Sequence, residues 1–192
     1  MRWRIHAGKL SLRQRHMRSL DGLDLPPALI GWIHERLEWA MLSMLQNDSE
    51  AVLVIEIDPV DGVRMSLDKT QDMPVLTAAD CRVEEGLVVG ADVGGQQQRL
   101  TGDVWLERDG ALYASVPDVI SATSTLCRDV AQTLGFTVSV GLLALAEVER
   151  AASLGSAFLI SDEFGFIPIG ELAGLEDAPI ANRIREAFGK LW

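Results

Sequence analysis

Apolar residues return at regular intervals along most of this chain, and the interval changes from one segment to the next. Leu29, Ile33, Leu37, Met41 and Leu45 recur every fourth position, with Ile30 and Met44 widening the stripe, which predicts one amphipathic helix running to about Gln46. Pro26 and Pro27 suit its opening turn, where a missing N–H costs little. The run AVLVIEID at 51–58 is rich in β-branched residues; with the turn DPVDG and the run at 62–68 it predicts a hairpin. DVWLER and ALYAS flank Asp109-Gly110, a pair that tolerates positive φ and predicts a second, tight hairpin. A helix follows, opened by Ser and Thr, with Leu126, Val130 and Leu134 on one face and Gly135 as its stop. Then come a strand FTVSV, a short helix over Leu145–Ala152, strands AFLIS and FIPIG, and a final helix with Ile180, Ile184 and Phe188 in register. The stretch from Lys69 to Leu100 carries one weak strand around Leu87–Val89 and reads as the join between two domains, with GADVGG as a loop. Short turns between most strands give the fold class α+β rather than a purely parallel sheet.

Composition agrees with this picture. The chain has 192 residues, 48% hydrophobic and 23% charged, which suits one large or two small globular domains and excludes disordered and fibrous classes. Charge is unevenly spread. Arg2, Arg4, Lys9, Arg13, Arg15 and Arg18 fall in the first twenty residues with no acid among them, and subtracting those six from the net charge of −11 leaves the remaining 172 residues at −17. So acidic a body excludes a general nucleic-acid binder. The basic segment reads either as a solvated face or as a docking arm for an anionic partner. Trp3, Trp32, Trp39, Trp105 and Trp192 are scattered, as core or interface anchors are, rather than set out as a base-stacking platform. With no apolar leader, no stretch able to span a bilayer, and only Cys81 and Cys127, a cytoplasmic, reducing location is expected.

Familiar chemical signatures are missing. His6, His16 and His34 are not spaced as metal ligands and read as ordinary surface or boundary residues, so no metal is expected. GADVGG is not a phosphate-binding glycine pattern, and no GxSxG elbow occurs.

The ordered set RLTGDVWL, ERDGALYAS, VISATSTLCRDVAQTLG and LGSAFLISDEFGFIPI resembles the C-terminal domain of the class IV aminotransferases, the fold type IV pyridoxal-phosphate family that includes aminodeoxychorismate lyase. The opening WRIHAGKLSLRQRHMRSL, followed by a helix and a hairpin, is similar to that family's N-terminal domain. The resemblance implies a small N-terminal α/β domain over residues 1–80 and a larger C-terminal α/β domain over 81–192. It also implies a cofactor cleft between them, a homodimer, and a small-molecule amino substrate, with no nucleic acid or membrane partner.

A pyridoxal-phosphate enzyme needs a lysine for the Schiff base, an acid at the pyridine nitrogen and donors for the phosphate. Lys69 falls near the family lysine, and it also suits a solvated turn. The family glutamate falls on Arg99, which would oppose ring protonation; Glu84 or Glu85 would substitute only if the loop were shifted. The phosphate cup maps to Ser121-Ala122-Thr123-Ser124, placing Ala122 and Thr123 at the cofactor, and the second phosphate contact falls at Ser161 or Asp162. A carboxylate at Asp162 would repel phosphate. Arg18 sits one place earlier than the family's phosphate-binding arginine. Two functions follow from the resemblance. One is a divergent aminotransferase or lyase working through pyridoxal phosphate on Lys69. The other is a catalytically inactive relative that keeps the fold and dimer without the cofactor.

Overall fold

The computed structural model describes residues 1–44, 50–58, 62–93, 98–100, 102–116, 121–170 and 179–191. Leu45 and Gln46, most of the DPVDG turn, Gly94, Gly95 and Trp192 lie outside them. The described residues form five helices and three sheets, and the chain divides into two compact units, Met1–Asp72 and Met73–Trp192.

The first unit is built from β1 (Arg2–His6), β2 (Lys9–Leu10), α1 (Arg13–Asp21), α2 (Pro27–Met44), β3 (Ala51–Asp58) and β4 (Gly62–Lys69). Its antiparallel sheet has the order β2-β1-β3-β4. The basic segment is therefore structured rather than a free arm. Trp3 and Ile5 alternate with Arg2, Arg4 and His6, so one face of β1 is fully buried while the other carries charge. Three of those charges are paired, Arg2 with Asp68, Arg4 with Glu50 and Arg13 with Glu38. His16 of α1 is fully buried and stacks on Trp3 at 4.5 Å between ring centroids, which corrects its reading as a surface or boundary residue. Ile33 and Leu37 of the predicted α2 stripe are the fully buried positions, against Leu53 and Ile55 of β3.

The second unit contains β5 (Cys81–Glu84), β6 (Leu87–Val93), β7 (Gln98–Leu100), β8 (Gly102–Arg108), β9 (Ala111–Ala114), α3 (Ala122–Thr133), β10 (Val138–Val140), α4 (Leu145–Ser153), β11 (Ala157–Ser161), β12 (Gly165–Ile169) and α5 (Pro179–Leu191). A central sheet of order β10-β9-β8-β11-β12 has one parallel pair, β10 with β9. The Asp109-Gly110 turn has φ of 52° and 75°, the mirror-image geometry a two-residue hairpin requires. Alternation divides the sheet's side chains between two cores. Trp105, Phe158 and Ile160 pack with Cys127 of α3 and with Ile180, Ile184 and Phe188 of α5. Val104, Leu106, Leu159 and Ile167 pack with Val148 of α4 and with Cys81, Val88 and Leu100 of the smaller sheet β5-β6-β7. That smaller sheet corrects the reading of Lys69–Leu100 as a join, and β6 runs through Gly90 to Val93, where GADVGG reads as a loop. Leu76 bridges to Ile169, tying the start of this unit onto β12.

Candidate functional site at the head of α3

The expected cofactor residues fall in four places. Ala122, Thr123 and Ser161 come together where α3 begins and β11 ends. Lys69 is the exposed last residue of β4, opposite Ala51, and Arg18 lies exposed on α1 with its Nε donating to the Gln14 carbonyl at 3.2 Å. Arg99 sits on β7 opposite Asp92, and its side chain is outside the described residues.

Helix α3 opens because Ser121 caps it, its Oγ accepting from the Ser124 N–H at 3.1 Å. The same hydroxyl donates at 2.7 Å to Oδ1 of Asp162. That oxygen also accepts from the Thr123 N–H at 2.9 Å and from Thr123 Oγ1 at 2.5 Å. One carboxylate oxygen thus takes the hydroxyls of two residues and a free amide of the first helical turn, where the helix dipole favours negative charge. Asp162 is 1% exposed, and Ser121 and Thr123 are fully buried. The next residue back, Ser161, is also fully buried, and its Oγ accepts from the Glu163 N–H at 3.2 Å.

A second carboxylate lies beside the first. Gly102 and Asp103 at the start of β8 pair with Ser161 and Ile160 of β11. The strands approach so closely that a Cβ on Gly102 would stand 1.9 Å from the Ile160 carbonyl oxygen, so only glycine fits. Asp103 is fully buried, with Arg128 at 3.5 Å. Burial pushes its carboxyl up to about 7; the Ser124 hydroxyl and Arg128 guanidinium oppose the shift, and the Asp162 charge adds to it. Sequence reading missed Asp103, although an acid inside the apolar run of GDVWL was a visible signal.

Other chemistry is scarce among the described residues. No group of His, Cys, Asp and Glu is arranged to hold a metal ion. Burial raises the thiol of Cys81 to about 11 and pushes Cys127 up as well, so neither is a thiolate at neutral pH. A cavity of about 390 Å³ between the end of the β8–β9 hairpin and α4 is lined by Arg108, Glu147 and Arg150, and by none of the residues at the head of α3. No described helix is long and apolar enough to cross a membrane.

No family model matches the chain, and no curated protein does either. Solved structures do. A Thermotoga maritima protein provisionally assigned as a branched-chain amino acid aminotransferase matches with a TM-score of 0.68 at 14% identity, over 100% of this chain and 84% of its own. The 4-amino-4-deoxychorismate lyase of Pseudomonas aeruginosa matches with a TM-score of 0.60 at 15% identity, over 97% and 88%. The pyridoxal-phosphate-bound form of a hypothetical aminotransferase from Mycobacterium tuberculosis matches with a TM-score of 0.61 at 13% identity, over 97% and 87%. Identities this low speak to architecture alone, and the architecture is the fold type IV arrangement of the class IV aminotransferases and aminodeoxychorismate lyases.

Proposed function

We propose that this chain keeps the aminotransferase fold without its cofactor chemistry and acts by binding, as a catalytically inactive relative. The observation that carries this reading is the Asp162 carboxylate seated on the Ser121 and Thr123 donors. Those are the donors that the resemblance reserves for phosphate. A phosphate there would have to displace Asp162 from its hydrogen bonds. It would also bring its charge beside two buried acids, Asp162 and Asp103, the latter with the partly exposed Arg128 at 3.5 Å. Two like unit charges about 4 Å apart repel by about 4 kcal/mol at an effective dielectric of about 20. The residues at the head of α3 therefore do not fit the phosphate of pyridoxal phosphate.

Two further positions support the same reading. The resemblance aligns Arg99 with the acid that would hold the pyridine nitrogen protonated, and a cation at that position works against the electron sink. Lys69 is an exposed strand-end side chain, and a Schiff-base lysine gains its reactivity from burial or neighbouring charge. The proposal retains the two domains at 1–80 and 81–192 and the homodimer.

The test is a titration of the purified full chain with pyridoxal phosphate, followed by borohydride reduction and peptide mapping. No yellow absorbance and no reduced adduct on Lys69 are expected. An adduct on Lys69, with a spectrum lost in Lys69→Ala, would overturn the proposal in favour of a divergent aminotransferase holding its cofactor through Arg18, Ala122, Thr123 and Ser161.

A further inference from the structure

The cavity beside α4 is made by a mismatch in strand length and by one small residue. Strand β11 begins at Ala157, opposite Leu106 of β8, so Glu107, Arg108 and the Asp109-Gly110 turn overhang it. The Glu107 N–H, donating to the Ser156 carbonyl at 2.8 Å, ties the overhang to the chain entering β11. Helix α4 and its C-cap face the overhang with Glu147, Ala151 and Leu154, which form one stripe at i, i+4 and i+7. Ala151 stands between two long side chains in that stripe. Its single methyl group leaves a hollow of about 390 Å³, within the size range of small-molecule sites.

Five charged side chains line the hollow, and three of them are committed. Glu107 Oε2 accepts from the Ile180 and Ala181 N–H groups at 3.0 Å each. Arg108 pairs with Glu147 and lies over the Tyr113 ring, 4.2 Å from its centroid. Glu147 also accepts from the Ala144 N–H at 3.1 Å through its other carboxylate oxygen, closing the first turn of α4. The Arg150 guanidinium and the Asp109 carboxylate have no such partner among the described residues, and they do not pair with each other. One cation and one anion are thus left free on the wall of one hollow. Its apolar lining is Leu106, Ala151 and Leu154, the last 57% exposed although large and aliphatic.

We propose that this cavity binds a small zwitterion, an α-amino acid with an aliphatic side chain, whose carboxylate meets Arg150, whose ammonium meets Asp109 and whose side chain covers Leu154. The free charges restrict the class. A simple carboxylate would satisfy Arg150 and place a second anion near Asp109, and a simple amine would satisfy Asp109 and place a second cation near Arg150. A guanidinium offers a carboxylate two parallel N–H groups, which fixes the ligand's orientation. Asp109 is set by the hairpin turn, where its φ of 52° holds it at the tip. Arg108 is six residues along β8 from Gly102, about 20 Å at roughly 3.3 Å per residue. The site therefore stands apart from the head of α3, and it holds whether or not any cofactor binds there.

Calorimetric titration of the full chain with L-leucine, and with leucine trimmed of one charge at a time, reads both contacts. Isocaproate lacks the ammonium and isoamylamine lacks the carboxylate. Leucine should bind in a saturable way, and each trimmed ligand should bind more weakly by about fivefold or more. Arg150→Ala should weaken leucine and leave isoamylamine unchanged. Asp109→Asn, which keeps a residue tolerant of positive φ at the turn, should weaken leucine and leave isocaproate unchanged. The trimmed ligands test the unaltered chain, so the assignment does not depend on the variants folding. Absence of saturable leucine binding, equal affinity for leucine and either trimmed ligand, or a leucine affinity unmoved by either substitution would overturn the proposal.

Discussion

Asp103 and Asp162 are two acids removed from water at the same helix end, and they are held differently. Asp162 has strong donors, whereas Asp103 has only the Ser124 hydroxyl and a partly exposed Arg128 at 3.5 Å against the cost of its burial. With its carboxyl raised from 3.8 to about 7, the folded chain holds a proton there that the unfolded chain has already released. This group's contribution is therefore complete below about pH 4 and is lost as pH rises toward 7. Asp103→Asn, neutral throughout, should be more stable than the unaltered chain by a few kcal/mol near pH 8, with the difference shrinking near pH 5. Thermal melts at the two pH values check this; equal offsets at both would exclude it. At this scale the sequence was partly legible. Ser121, Ala122, Thr123 and Ser161 were placed from resemblance, and Asp162 was recognised as hostile to phosphate. Its seat on the donors depended on a contact across 39 residues, which no local pattern encodes.

Elements with a clean period were read correctly, and those with a mixed one were not. Helix α2, both hairpins and α5 each present apolar residues at the spacing of their structure, and the structure has them where the spacing predicts. β1 also alternates, but arginines at every second position overlay its apolar pattern with charge, and α1 buries a histidine where an apolar residue would mark its face. β6 extends the strand expected at Leu87–Val89 through Gly90, whose lack of a side chain leaves room for the Arg82 guanidinium across the strand. Helix α5 shows how elements depend on each other. Its first amides, Ile180 and Ala181, both donate at 3.0 Å to Oε2 of Glu107 on β8, so a strand supplies the helix's cap. Glu107→Ala should cost about 1–2 kcal/mol. A lower denaturant midpoint with an unchanged slope would confirm it, and a midpoint equal to that of the unaltered chain would contradict it.

At the scale of the whole molecule, each core cluster draws its residues from one unit. Trp3, Ile33 and Ile55 belong to the first unit, while both faces of the five-stranded sheet are covered within Met73–Trp192. A domain with its own core is able to fold alone. Residues 73–192 expressed separately should give a cooperative thermal transition and a mixed helix and strand spectrum. A molten, non-cooperative fragment would show that its cores need the first unit. The resemblance conveyed this architecture without relying on identity, because the order of hairpin, helix and strands survives where individual side chains have changed.

The carboxylate at the head of α3 also bears on competition. Being part of the chain, it is offered to its donors at an effective concentration on the order of millimolar or higher, and it does not dissociate into solution. A free anion of similar intrinsic affinity therefore meets a rival that dilution cannot remove. Adding more ligand is a weak way to open such a site, whereas shortening or neutralising the tethered rival opens it at once.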